Sequence, residues 1–465
     1  MRASVVAEKA GIPSVTDVCS GFGEQARLVA KLAGVSGARI AEYPGHIESH
    51  SPEQRDKYIE ETVIPQIIKG LTVSSEEPGP AVVEEEPGPG DIVFSGTFEE
   101  VNAFFYDKHW SDGLPIVPPT IEKVEEFLKY TDRAAGEVLG VLLPSYRAAT
   151  VWSVAVNGVM AGCRPEYMPI LIAMVEVMAT SRFSMKDSGA TAGWEALVIL
   201  NGPIVKQLHF NYTGGALRPG SLPNTSIGRF WRLYTRNVPG SLPGTTDKGT
   251  WGRSFHMVLA ENHEALEKTG WEPLSVRQGF KADDNVVTIQ STRGRGYDIV
   301  VRGSTARENL DIISYAFLGF HTSLWRVVDE QSVLLGLTPL NAAVIARDGY
   351  SKEDVRQYLW EHTRQPARVF EAVGGGGIPW GRASESMGKD LCDAVRKGIL
   401  PKLYCESDDP NRMLPIWRSP DELRIVVSGD DSGRNRALIT GSDGNHGMAT
   451  SKKVELPANW EKLIK

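Results

Sequence analysis

Cys19 occupies a position where a thiol can become reactive. The sequence IPSVTDVC (Ile12–Cys19) predicts a β-strand, and a helix is predicted from Glu24 to Leu32 after a Ser-Gly-Phe-Gly turn. The dipole and free N–H groups of a helix N-terminus lower the pKa of a thiol and bind anions. Cys19 is therefore a candidate catalytic thiolate or part of an anion cradle. The alternative is a small buried cysteine that closes a strand.

Three further residues are candidates for acid–base catalysis. Glu166 ends the polar segment NGVMAGCRPE, and His256 and Glu261 lie in FHMVLAENHE. Carboxyl and imidazole groups transfer protons when their pKa values are tuned by their surroundings. The segment is not HExxH, so no zincin is predicted, and a structural His–Glu grouping remains the alternative. Other polar residues of this neighbourhood are Asn262, His263, Glu264 and Glu272.

Candidate substrate-binding residues fall into three segments. In the first, Arg164 can clamp a carboxylate through its planar fork, unless the segment is an ordinary helix–helix corner. The second is a Gly- and Asn-rich stretch typical of pocket walls, where main chain must approach a ligand. The third, Glu422–Leu438, is predicted as a strand, a Gly/Asp turn and a helix start that could hold an anion. The candidates are Asn157, Cys163 and Arg164, then Asn201, Asn211, Asn224, Ser226 and Arg229, and finally Gly429, Ser432, Gly433 and Arg434.

Composition excludes several classes of protein. The formal charge of the 465 residues is −8, which argues against nucleic acid as the main partner. The most apolar run, Tyr167–Ala179, is shorter than the roughly twenty residues of a membrane-spanning helix. Four cysteines without CxxC or zinc spacing favour a reduced, cytoplasmic setting. The sequence does not identify a cofactor, and no metal ligands are assigned, although His256 and Glu261 could contribute to a metal site. In the segment Trp110–Gly113, predicted as a tight turn, Asp112 is the best chemical candidate.

Three regions are predicted along the chain, with an overall α/β fold. Residues 1–71 form helix, strand, helix, strand and helix, a partial Rossmann-like unit with too few strands for a stable sheet. Residues 72–91 (TVSSEEPGPAVVEEEPGPGD) form an acidic Pro/Gly linker. Residues 92–465 form a large α+β or α/β domain. Because the linker loosens any tie to the large domain, we expect another subunit to complete the first sheet.

The first region resembles the second half of the UGSC family of (seleno)proteins. The matching residues are GIPSVTDVCSGFGEQARLVAKLAGV and ARIAEYPGHI, followed by the closing helix. That family is named for a selenocysteine-or-cysteine, Gly, Ser, Cys motif, which would lie N-terminal to the match. The rest of the chain, including WSDGLPIVPPT and GLTPLNAAVIARDGYSKEDV, resembles a large bacterial group associated with UGSC proteins. The resemblance implies a small, separately encoded partner that carries the motif.

Three functional hypotheses follow. The first is a subunit of a hetero-oligomeric enzyme that acts on a small polar or anionic molecule by thiol- or selenol-dependent, reductive cleavage or transfer. The second is a self-sufficient hydrolase or lyase that uses Glu166, His256 and Glu261, with or without a metal. The third is a non-catalytic binding or scaffold subunit. The resemblance and the incomplete first unit favour the first hypothesis.

Overall fold

The computed structural model describes residues 1–72, 87–190, 193–250, 252, 257–292, 296–320, 330–373, 390–432, 435–443 and 447–465. Over these residues the architecture is mixed α/β, as predicted. Most of the predicted linker, residues 73–86, lies outside them.

The strands are β1 (Val15–Cys19), β2 (Arg39–Tyr43), β3 (Val138–Leu142), β4 (Arg147–Thr150), β5 (Glu195–Asn201), β6 (Val258–Ala260), β7 (Val286–Thr292), β8 (Tyr297–Val300), β9 (Gln331–Leu337), β10 (Arg364–Pro366), β11 (Met413–Pro415), β12 (Leu423–Val427), β13 (Arg436–Asp443) and β14 (Thr450–Lys453). The helices are α1 (Arg2–Lys9), α2 (Gly23–Leu32), α3 (Pro52–Tyr58), α4 (Ile64–Thr72), α5 (Phe98–Asp107), α6 (Ile121–Leu128), α7 (Val151–Met160), α8 (Met168–Met178), α9 (Ile204–Gln207), α10 (Leu222–Asn237), α11 (His263–Thr269), α12 (Leu274–Arg277), α13 (Ala306–Phe320), α14 (Pro339–Arg347), α15 (Lys352–His362), α16 (Ala367–Val373), α17 (Leu391–Arg396) and α18 (Trp460–Leu463).

The N-terminal unit has the predicted order of helices and strands. Its two strands are parallel and pair from Val15↔Arg39 to Cys19↔Tyr43. Ser51 and Gln54 form a capping box at the start of α3, which continues through a π-helical turn into α4. Among the described residues this sheet has two strands, as predicted from the sequence.

The large domain is a four-layer sandwich of helices, two sheets and helices. The first sheet has the strand order β14-β7-β5-β6, and the second has the order β12-β9-β13-β8. Alternate residues of β5 face opposite ways: Val198 packs with α7, α8 and α10, whereas Ile199 packs against Leu334 of the second sheet. The outer face of the second sheet is covered by α13, α14 and α15. A sheet buried on both faces explains the nearly continuous apolar strands.

The two sheets are built alike and exchange their last strands. In each sheet, a central strand has a parallel neighbour on one side and an antiparallel neighbour on the other (β5 with β6 and β7, β9 with β12 and β13). After β7 the chain crosses to pair β8 with β13, and after β13 it crosses back to pair β14 with β7. No fixed-period repeat is visible in the sequence, so this twofold relation is a finding of the structure.

The N-terminal unit contacts the large domain directly. Arg2 forms an ion pair with Asp187 at 2.9 Å, and the Gln25 side chain donates to the Thr246 carbonyl at 2.9 Å. These contacts place the unit against the large domain, which the sequence does not predict. Within the described residues, however, the large domain adds no strand to the β1–β2 sheet.

Two segments differ from what their sequences suggest. Residues Arg147–Ala161, rich in Ala and Val, suggest one buried helix, but the segment begins with β4, and α7 starts only after the Thr150 N-cap. The turn after β12 leads into β13 rather than a helix. The Gly429 region therefore has no helix N-terminus and lacks the anion cradle that such a terminus would provide.

Candidate functional site

Glu261 is the centre of a buried polar cluster at the carboxyl ends of the parallel strands. Its side chain is fully buried directly after β6. One carboxylate oxygen accepts from Asn201 Nδ2 at 2.5 Å and from the main-chain N–H of Leu274 at 2.8 Å. The other accepts from Lys352 Nζ at 3.0 Å and from the main-chain N–H of Val427 at 3.1 Å. Four segments of the two sheets and their helices thus meet on one carboxylate.

This arrangement makes Glu261 an anchor rather than an available base. Four donors share its two oxygens, so a substrate proton would have to displace one of them. Burial lowers the pKa of Lys352, and the adjacent Glu261 carboxylate opposes that shift. Either charge would be costly in the interior without the other.

A cavity of about 180 Å³ lies beside this cluster, in the crevice beyond the ends of β5 and β6. Such crevices are the usual ligand sites of open α/β sheets. His263 Nε2 accepts from the Gly202 N–H at 3.0 Å, and burial lowers the pKa of His263. The ring is therefore neutral near pH 7, with its proton on Nδ1. The other polar residues lining the cavity are Lys206, Tyr212, Glu261, Glu267 and Asp283.

The predicted pocket wall is held together by its own amides. Asn224 is fully buried, and its Oδ1 accepts from the Asn211 N–H at 2.8 Å. Its Nδ2 donates to the carbonyls of Asn211 and Val258 at 2.9 and 2.8 Å. Ser226 Oγ donates back to the Leu222 carbonyl within α10. These contacts fasten the loop to β6, so Asn224 and Ser226 stabilise the wall rather than face a ligand.

Arg229 and Asp112 form a two-point ion pair. Arg229 Nε and NH2 donate to the two carboxylate oxygens of Asp112 at 2.9 and 2.8 Å, and NH2 also donates to the Leu114 and Pro115 carbonyls. The pair fixes the WSDG turn onto α10. Cys163, which lies nearby, is partly exposed, but the surrounding protein raises the pKa of its thiol to about 12. The thiol is thus protonated at neutral pH.

The segment from Asn157 to Glu166 does not form a common site. Asn157 is buried in α7, where its Oδ1 accepts from Asn237 Nδ2 at 2.7 Å. Arg164 is mostly exposed and lies 3.7 Å from the Glu166 carboxylate. The two charges form a surface pair after the α7 corner. His256 and Arg434, as well as Gly433, lie outside the described residues. Ser432 folds back onto the carboxylate of Asp430 in an exposed turn.

A second cleft, of about 160 Å³, lies between the N-terminal unit and the large domain. The unit contributes Arg2, Phe22, Gln25 and Val29 from α1 and α2, and the large domain contributes residues that include Lys186, Ser188, Ser241 and Thr246. Residues 186–190 precede β5, whereas Gly202 and Lys206 follow it, so the two cavities lie beyond opposite ends of this strand. Arg2 and Lys186 are not predicted from the sequence, because nothing in their local pattern marks them as part of a site.

The four cysteines differ in their surroundings. Cys19 ends β1 ahead of α2, as predicted, and packs against Ala41, Tyr43 and Val63 of the small N-terminal core. Cys392 and Cys405, which are 13 residues apart in sequence, form a disulfide with their Cα atoms 4.9 Å apart. The sequence analysis expects a reduced setting from the spacing of the cysteines and does not predict this bond. Cys19 and Cys163 are the free thiols.

Comparison with known proteins gives one match. The UGSC family model matches residues 1–73. The match covers the N-terminal unit and supports the resemblance expected for that region; it does not extend to the large domain. No curated protein and no solved structure matches the chain.

Within the described ranges, no helix is long and apolar enough to cross a membrane. No group of three or more His, Cys, Asp or Glu side chains is close enough to hold a metal ion in the same ranges.

Proposed function

We propose that this chain is one subunit of a bacterial, cytoplasmic enzyme that acts on a small polar or anionic molecule. A small partner subunit supplies the reactive residue from a Cys- or Sec-Gly-Ser-Cys motif. The reaction is a thiol- or selenol-dependent reductive cleavage or transfer. The observation that carries the proposal is the UGSC match over a unit whose sheet has only two strands.

The geometry of this sheet indicates which edge the partner would join. Gln66 covers the outer edge of β2, because its side-chain amide accepts from the Glu42 N–H at 3.0 Å and donates to the Glu42 carbonyl at 3.2 Å. The Ser20 N–H donates to the Tyr43 carbonyl, so the main-chain groups of alternate β1 residues, including Asp17, point away from β2. β1 therefore offers the open edge for strand addition.

The cleft between the UGSC-like unit and the large domain fits the proposed substrate class. Lys186 brings positive charge, Arg2 is paired with Asp187, which also lines the cleft, and Gln25, Ser188 and Ser241 bring hydrogen-bonding groups. In the proposed reaction a partner thiolate attacks an electrophilic centre, and the leaving group departs with the bonding electrons. A second thiol then attacks the sulfur of the adduct. Two thiols are oxidised to a disulfide, and the substrate R–X becomes R–H and H–X.

Strand addition is tested by co-expressing the full chain with the candidate partner. Asp17→Pro removes an outward N–H and blocks the β1 edge, whereas Asp17→Ala is the matched control. We expect the wild type and Asp17→Ala to co-purify with the partner, and Asp17→Pro to lose it while retaining its circular dichroism spectrum. Equal recovery by all three chains would contradict addition at β1, and recovery by none would contradict the partner itself.

A second candidate is acid–base catalysis by the large domain alone. The neutral His263 in the strand-end cavity is the observation that favours it. Of the residues that the sequence suggests for this role, Glu261 has both oxygens occupied by four donors and Glu166 forms a surface pair, whereas His256 lies outside the described residues. Activity that is retained without any partner but lost in His263→Ala would establish this alternative.

A further inference from the structure

Arg424 carries a charge into the layer between the two sheets of the large domain. It lies in β12 between Leu423 and Ile425, which face the helices, so its own side chain faces the first sheet. Only 6% of the residue is exposed. Its NH1 donates to Ser332 Oγ at 3.3 Å and to the Glu422 carbonyl at 3.4 Å, whereas Nε has no hydrogen-bond partner.

Among the residues that the structure describes, no carboxylate lies within ion-pair distance of this guanidinium. Glu330 pairs with Arg182 at 3.2 Å, and Asp421 pairs with Arg277 at 2.7 Å. Burial raises the pKa of the neighbouring Glu422 to about 8, so that carboxyl is protonated near pH 7. Burial also lowers the pKa of Arg424 to about 10, and the charge of Arg182 lowers it as well, while Glu330 and Glu422 partly oppose the shift. An isolated buried charge is costly unless something compensates it.

The neighbouring hydroxyl cannot provide the missing acceptor. Ser332 Oγ already accepts from Gln290 Nε2 at 3.0 Å and from the Ala449 N–H at 2.9 Å, in addition to Arg424. The described hydrogen bonds of Arg424 all use NH1. On the other edge of the guanidinium, which carries Nε and NH2, Nε is buried without a hydrogen-bond partner. Such an edge matches two oxygens of a carboxylate or phosphate. Around Arg424 and Ser332, the hydrogen-bond donors thus exceed the acceptors.

We propose that Arg424 anchors a binding site for a small oxyanion between the two sheets, near the start of β9. The ligand chemistry is that of free phosphate or of the carboxylate or phosphate group of a small metabolite. The site is separate from the strand-end cavity, because Arg424 and Ser332 lie near the starts of their strands. It also does not depend on the proposed partner.

Thermal unfolding of the full chain tests the site, with sodium phosphate as the probe and sodium chloride at equal ionic strength as the reference. We expect phosphate to raise the wild-type Tm in a saturable manner, and to raise that of Arg424→Met only by its general salt effect. Arg356→Met is the matched control, because Arg356 is equally buried but paired with Glu353 at 2.5 Å. Its response to phosphate should equal that of the wild type.

Equal phosphate shifts in the wild type and Arg424→Met would overturn the proposal, as would the absence of a saturable shift in the wild type. If Arg424→Met does not fold, phosphate binding to the wild type is measured by isothermal titration calorimetry, and Arg424→Lys is compared with it. The lysine variant keeps the charge without the fork, so it should bind phosphate more weakly. Unchanged binding would also overturn the site.

Discussion

The Glu261–Lys352 pair predicts a large and non-additive loss of stability. In Glu261→Ala, the Lys352 ammonium stays buried without its counter-charge, and the Asn201 amide and the Leu274 and Val427 N–H groups lose their acceptor. Breaking one side of a buried ion pair costs about 3–5 kcal/mol. We therefore expect Glu261→Ala to lose at least about 3 kcal/mol in the free energy of unfolding of the large domain.

Lys352→Met should cost less, because the Glu261 carboxylate keeps its three other donors and the apolar side chain fits a buried position. The double variant Glu261→Gln/Lys352→Met removes both charges while leaving an amide oxygen to accept one N–H. Urea unfolding followed by tryptophan fluorescence gives the four free energies of a cycle built on Glu261→Gln. The double variant should lose about 2 kcal/mol less than the sum of the single losses. Additive losses, or a Glu261→Ala loss below about 1 kcal/mol, would refute the buried pair.

Three other properties follow from the site and core. Cys163, whose thiol pKa is raised to about 12, should react slowly with iodoacetamide at pH 7.5. Peptide mass spectrometry that finds it as fully labelled as an unfolded control would contradict the raised thiol pKa. Glu422 is protonated when folded up to about pH 8 but ionises near pH 4.3 when unfolded, so its contribution to stability is present below pH 4.3 and is lost as pH rises to 8. Glu422→Gln should therefore be more stable than the wild type at pH 8.5 by a few kcal/mol, at about 1.4 kcal/mol per pKa unit. At pH 4.5 the two proteins should be nearly equal in stability. A difference in Tm that does not change with pH would contradict this. Reduction of the Cys392–Cys405 disulfide should destabilise the large domain by about 3 kcal/mol. If the Tm of a Cys392→Ser variant equals that of the wild type, the bond does not form.

The sequence predicts the local structure of this protein better than its long-range contacts. The helix–strand order of the first unit is confirmed, and the capping boxes at Ser51 and Thr97 likewise depend only on residues within a few positions of each other. Glu422–Leu438 was predicted wrongly, because a Gly/Asp turn after an apolar strand fits either a helix or a hairpin until tertiary pairing decides. The pairing of β13 with β8 and β9 decides it here.

The candidate site shows the same limit. Asn201 and Glu261 stand out in the sequence as polar residues after apolar strands, and the structure joins them. Lys352 was not predicted, because it lies 91 residues from Glu261 on a helix that appears amphipathic and exposed. Asn224 and Arg229 were predicted to bind substrate but stabilise the loop and the WSDG turn. Their partners come from distant segments, and no local pattern reveals them.

The composition of the native assembly tests the central claim most directly. Affinity capture of the full chain from its own cells, followed by native mass spectrometry, measures which subunits accompany it. We predict a hetero-oligomer in which a small subunit carries a Cys-Gly-Ser-Cys or Sec-Gly-Ser-Cys motif. An active homo-oligomer that contains no such subunit would contradict the account.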